Sequence, residues 1–244
     1  MITIEKDETG ISHVKAFVTD FTEAMGYCEF KIPFFINGVN EIKTEQMIIE
    51  RQFYQAEKID PETSIMLPLS KTKLRDKKAD LSLLRMNIHT QFTQEVRSSK
   101  GKSKLTLFGR ADKIFRKNGT LIISDDRTTS NPNHHDSRME PYNDQLLQVL
   151  TLLHSKFYLG DSFGGWTQIP HKRKSYHINI IDNRTQRIHK TYEEIVSPRH
   201  ENLLFNSTIQ FAQKCLQWLE LNHHNSKTKC EPCGFFNDCK KALR

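Results

Sequence analysis

Apolar residues recur along this chain with two different periods. Over 79–97, Leu81, Leu84, Ile88, Phe92 and Val96 fall three or four apart, which predicts an amphipathic helix with His89 one step beside its stripe. EIKTEQMIIERQFYQAE (41–57) repeats that spacing at Ile42, Met47, Ile48 and the Phe53/Tyr54 pair, and predicts another helix. The period then changes. LTLFGRADKIFR and TLIISDD flank Asn118-Gly119, which supplies the positive φ angles of a two-residue type I′ turn, so this stretch predicts a β-hairpin. PYNDQLLQVLTLLHSKFYL returns to helical spacing, with Leu146, Leu150, Leu153 and Phe157 on one face. Strands at 175–182 and 185–192 around Asp182-Asn183, and a helix over about 202–222, complete the order. Together these elements predict a mixed α/β fold with helices before and after a central sheet.

Composition narrows the class. With 244 residues, 36% hydrophobic, and only 10 Gly and 8 Pro, the chain can bury a core and is neither collagen-like nor globally disordered. It shows no repeat of fixed period and no long linker, so a single domain over 1–244 is expected. No segment approaches the roughly 20 apolar residues of a membrane span, and MITIEKDETG lacks the basic-then-apolar order of a signal peptide. The expectation is a cytoplasmic, intracellular protein without a membrane partner. Lys plus Arg exceed Asp plus Glu by 36 to 29, a net +7 that suits a polyanionic partner. Basic clusters stand at 71–78, 97–104 and 171–174; each reads as a phosphate-neutralising patch or as a solvated loop, and the second leads into the strand carrying Asp112. Tyr142 can stack on a base or simply pack.

Five cysteines are too few for a secreted disulfide scaffold, and Cys230, Cys233 and Cys239 form a C-x2-C-x5-C run. Such crowding reads as metal or cluster ligation in a reducing compartment, with a fourth ligand drawn from elsewhere. A zinc knuckle completed by His223 or His224 is one reading. Cys215 lies on the Phe211, Cys215, Trp218 stripe and reads as core.

The hairpin carries the acids. Asp125 and Arg127 are two apart on a strand and share a face that Asp126 does not. Asp112 and Asp125 are equidistant from the Asn118-Gly119 turn, so pairing brings them together. Adjacent carboxylates repel unless a cation sits between them, and hard oxygen donors suit Mg²⁺ or Mn²⁺. The same residues also read as solvated acids at a strand end.

GRADKIF, LIISDDRTTS and PYNDQLLQVL resemble the G-x-x-D, (D/E)-x-K, Q-x-x-x-Y series of the PD-(D/E)XK nuclease superfamily in its RecB-like exonuclease branch. The resemblance implies a restriction-endonuclease-like fold, α/β with a mixed central sheet flanked by helices, whose nuclease core spans about 76–195. It makes Asp112 and Asp125 metal-binding acids, places Arg127 at the catalytic lysine position and makes Gln145 the motif glutamine. RMNIHTQFTQEV is similar to the helix on which these nucleases carry a metal-binding histidine, which here is His89. A nitrogen ligand among carboxylates favours Mn²⁺ over Mg²⁺. Two positions depart from the pattern: Arg127 cannot deprotonate near neutral pH, and Val149 stands where the motif tyrosine belongs. GYCEFKIPFFI resembles the Cys-x-Arg/Lys-aromatic entry of iron-sulfur RecB-like nucleases, and with the late cysteines the pattern is similar to CRISPR-associated RecB-like exonucleases and the AddB-type nuclease domain. That likeness implies a [4Fe-4S] cluster on Cys28, Cys230, Cys233 and Cys239, joining 20–35 to 225–244. The implied activity is metal-dependent exonucleolysis of single-stranded DNA or DNA ends, within a DNA-processing complex of several proteins. A cleavage-impaired DNA-binding or adaptor module on the same fold is the alternative.

Overall fold

The computed structural model describes residues 1–39, 42, 81–84, 88–159 and 165–243. The helix expected over 41–57 and the basic cluster at 71–78 lie outside the described residues, Ile42 excepted. The fold is mixed α/β: two mixed sheets flanked by helices. In chain order the strands are β1 (Thr3–Lys6), β2 (Ser12–Phe17), β3 (Leu81–Leu84), β4 (Ile88–Ser98), β5 (Gly101–Ala111), β6 (Lys113–Lys117), β7 (Thr120–Thr129), β8 (Lys156–Tyr158), β9 (Trp166–Thr167), β10 (Arg173–Asp182) and β11 (Arg187–Ile195). A six-stranded sheet runs β1-β2-β5-β4-β8-β9, and a five-stranded sheet runs β11-β10-β7-β6-β3. β2 and β5 pair in parallel, as do β7 and β10; the other pairs are antiparallel.

The helix expected over 79–97 is not formed. Leu81–Leu84 is strand, and residues 88–98 are β4, paired with β5 from Ile88↔Ala111 to Ser98↔Gly101. The expectation failed because a spacing of four is compatible with a helical turn and is also a multiple of the strand period of two. The intervening residues decide: Thr90, Phe92 and Val96 are buried, whereas His89, Thr93, Glu95 and Arg97 are exposed, the alternation of a half-buried strand.

The hairpin at Asn118-Gly119 forms as predicted, with φ of 50° and 75° at the two turn residues and register Lys117↔Thr120 to Lys113↔Ser124. Among the described residues the α-helices are α1 (Val18–Thr22), α2 (Ile32–Ile36), α3 (Asn143–Leu153), α4 (Pro198–Cys215) and α5 (Lys227–Cys230). α3 is shorter than its apolar pattern. His154 closes it by bonding the Leu150 carbonyl through Nδ1 at 2.8 Å, and Phe157 is buried from β8 instead. α4 begins at Pro198, whose missing N–H and fixed φ suit a first turn, four residues earlier than expected.

One apolar core joins the two sheets. Phe92, Leu105 and Leu107 from the first, Ile114, Ile123 and Ile178 from the second, and Leu147, Val149 and Leu150 from α3 belong to it, each side chain contributing about 1.5–3 kcal/mol on burial. Cys215 lies in this core, and burial pushes its thiol far up. α3 packs on β7 and β10 and touches β4 and β5, so this helix spans both sheets. The chain passes from one sheet to the other in a single residue, Asp112, between β5 and β6. Among the described residues no helix is long and apolar enough to cross a membrane.

Candidate metal centre and terminal clasp

The hairpin register carries Asp112 to Asp125. Asp125 lies on β7, which is flanked by β6 and β10 inside the five-stranded sheet, and is 2% exposed. Burial first, then the charge of Asp125, push the Asp112 carboxyl up to about 7, against the opposing pull of Arg127. Asp112 therefore keeps its proton well above the pH at which a free carboxyl loses it. Arg127 is on the same face, as a strand spacing of two requires, and its Nε donates to Asp125 Oδ2 at 2.6 Å. Asp126 points to the opposite face, where Lys113 and Asn179 bond it, the latter at 2.7 Å.

Gln145 does not reach the acids. It occupies the first turn of α3, where its Oε1 accepts the Tyr142 N–H at 3.3 Å, and it borders a cavity of about 280 Å³ with Arg127, Ser130, His135 and Tyr142. The glutamine at the acids is Gln148. Its Oε1 accepts from Arg127 Nη2 and its Nε2 donates to Asp125 Oδ1 at 3.3 Å, closing a ring of Asp125, Arg127 and Gln148. Spacing could not choose between them, since residues three apart lie only about 60° apart around a helix. The helix start decides, because it commits Gln145 to the cap. Val149, at the expected tyrosine position, is fully buried in the core.

His89 stands apart. It is exposed on β4 opposite Arg110, and among the described residues it forms no three-donor group with Asp112 and Asp125. The nitrogen-donor reason for preferring Mn²⁺ goes with it, leaving an oxygen pair that suits Mg²⁺ and Mn²⁺ alike.

The termini meet through a second cluster. A π-helical turn, Glu23–Tyr27, delivers buried Cys28 to the C-terminal segment. Phe34 stacks on Phe235 at 4.6 Å between ring centroids, and the Tyr27 hydroxyl donates to the Lys229 carbonyl. Burial chiefly pushes the Cys28 thiol up, and Cys233, Cys239 and Cys230 each add to the shift. Burial, then Cys233, likewise pushes the Tyr27 hydroxyl up to about 12.

His223 and His224 enter the same neighbourhood. Ligand atoms of Cys28, His223 and His224 lie within 4.8 Å of one another, a Cys/His₂ group able to hold a metal. Their Nε2 atoms stand 3.7 and 3.9 Å from Cys230 Sγ. His224 Nδ1 accepts the Ser226 N–H at 3.0 Å, while His223 Nδ1 lies 3.2 Å from the Asn225 nitrogen and 3.1 Å from Asn225 Oδ1. A neutral His224 so placed carries its proton on Nε2 and aims it at the Cys230 sulfur, whereas the partners of His223 suit either tautomer.

No protein-family model and no curated protein matches the chain. Among solved structures, one titled "Crystal structure of SSO0001" is similar at a TM-score of 0.45 and 16% identity, over 98% of this chain and 90% of that one. A likeness that distant says nothing about the chemistry of either cluster.

Proposed function

We propose that the chain is a metal-dependent DNA exonuclease on a restriction-endonuclease-like core, hydrolysing phosphodiesters in single-stranded DNA or at DNA ends. The observation that supports this most is the acid pair at the passage between the two sheets, Asp125 buried and Asp112 partly so, with a guanidinium beside them. Two neighbouring carboxylates, one of them buried, are costly without a cation. Asp112 and Asp125 would hold Mg²⁺ or Mn²⁺, which supplies an activated water and Lewis-acid stabilisation of the phosphate. Asp112 gives up its proton to admit the ion. Arg127 stays charged throughout and offsets negative charge at the phosphate, while Gln148 fixes the plane of its fork.

Asp112→Ala and Asp125→Ala should each abolish Mn²⁺-dependent cleavage of end-labelled single-stranded DNA while leaving the thermal melt cooperative. Activity persisting in both purified variants refutes the assignment. One observation favours a second reading, a DNA-binding or adaptor module with impaired cleavage: Arg127 is ion-paired to a proposed metal ligand and His89 contributes nothing. Binding without cutting by the wild-type chain, with either ion supplied, selects that reading.

For the clasp, the donor set fits a [4Fe-4S] cluster on Cys28, Cys230, Cys233 and Cys239, four soft thiolates drawn from both ends of the chain. Cys28, His223 and His224, whose ligand atoms lie within 4.8 Å of one another, are the donors a zinc ion would use instead. Closing a loop of about 200 residues stabilises the native state by several kcal/mol in chain-entropy terms. Iron and sulfide in anaerobically purified, brown protein is the expected result; a colourless zinc protein overturns it.

A further inference from the structure

The outward face of the six-stranded sheet is a candidate site of its own. Its side chains can be mapped row by row from the strand register. One row across four strands is Phe17, Phe108, Gln91 and Lys156; the next is Arg110, His89, Tyr158 and Trp166. Strands lie about 4.8 Å apart, so each row is roughly 14 Å wide. Phe17 is 53% exposed, Tyr158 40% and Trp166 39%, although aromatic side chains ordinarily seek burial. Tyr158 and Trp166 lean together with ring centroids 5.5 Å apart.

The net charge on this face is positive. Its two acids, Glu5 and Glu95, are engaged by Lys15 at 2.7 Å and Arg97 at 3.4 Å. No other outward position of these strands is acidic, and Lys102, Lys104, Arg110 and Lys156 are exposed there. Rings that offer flat apolar surface, set among uncompensated cations on an open sheet, match the chemistry of unpaired bases strung on a phosphate chain. A duplex fits poorly, because its bases are already stacked. The face also ends at the acids: Arg110 precedes Asp112 by two residues, at most about 7 Å of backbone.

We propose that this face binds single-stranded nucleic acid, with bases stacked on Phe17, Tyr158 and Trp166 and phosphates neutralised by Lys104, Arg110 and Lys156. The proposal deepens the nuclease reading by giving the substrate strand its bed. It is tested apart from cleavage, by fluorescence anisotropy of labelled oligothymidylate with the full chain in EDTA. Wild-type protein should bind the strand at least tenfold more tightly than the corresponding duplex. Phe17→Ala combined with Trp166→Ala should weaken binding about tenfold or more, since stacking contributes about 1–3 kcal/mol per base. Lys104→Ala combined with Lys156→Ala should lower the slope of log affinity against log salt by about 1.4, two phosphates at about 0.7 each. Thermal melts establish that each variant is folded, and the lysine pair, being exposed, serves should the aromatic pair fail. Unchanged affinity and salt slope in folded variants, or duplex bound as tightly as single strand, overturns the proposal. Strand binding that depends on these residues in a chain that never cuts leaves the proposal standing and removes the nuclease reading alone.

Discussion

Replacing Asp112 by asparagine removes a carboxyl that the native state protonates and the unfolded chain does not. Its ionisation is pushed from 3.8 to about 7, first by burial and then by Asp125. Below pH 4 both states bind the proton and the group contributes nothing. Between pH 4 and 7 the native state holds more protons than the unfolded chain, so stability falls as pH rises. Above 7 the loss is complete. At about 1.36 kcal/mol per pH unit, the rise from 3.8 to about 7 costs up to about 4 kcal/mol, an upper limit because the pair can relax or draw in water. Asp112→Asn keeps the shape and cannot ionise. In EDTA at pH 8 it should therefore be about 2–4 kcal/mol more stable than wild type in urea denaturation, with the two nearly equal near pH 4. Saturating Mn²⁺ should narrow or invert the order. The wild-type chain gains about 2.7 kcal/mol at a hundredfold excess over Kd, whereas the variant has lost a ligand. A variant less stable than wild type at pH 8 in EDTA, or an equal difference at both pH values, refutes the raised ionisation of Asp112 beside Asp125.

Other perturbations follow from the same geometry. Arg127→Lys places the motif residue but gives up the fork that bonds Asp125 and Gln148; cleavage should rise if the guanidinium is what limits the acids, and single-turnover rates at or below wild type argue that the fork is needed. Gly26→Ala would put its Cβ 2.5 Å from the backbone of Asp144, forcing the π turn away from α3 at a cost of about 1–3 kcal/mol; an unchanged urea midpoint contradicts this packing. If the proposed cluster sits on the four thiolates, His223→Ala with His224→Ala should leave it bound but remove the imidazoles that stand 3.7 and 3.9 Å from Cys230 Sγ, lowering its midpoint potential in a redox titration. Loss of the metal from that variant would show the imidazoles to be ligands.

Local chemistry was decided by local residues. Asn-Gly permits one tight turn, and once that turn is placed, counting outward pairs Asp112 with Asp125 and puts Arg127, but not Asp126, on their face. The crowding of Cys230, Cys233 and Cys239 is equally plain in the sequence, because spacing along a short segment is a property of that segment alone. Residues 88–98 were not legible, since apolar side chains four apart satisfy a helix and a strand alike; pairing with β5 over eleven residues, a nonlocal contact, chose the strand and carried His89 to the exposed face. The choice between Gln145 and Gln148 depended on where α3 begins. Division of the strands into two sheets, with Asp112 the single residue between β5 and β6, goes with how α3 packs against both, and no periodicity within one segment encodes that.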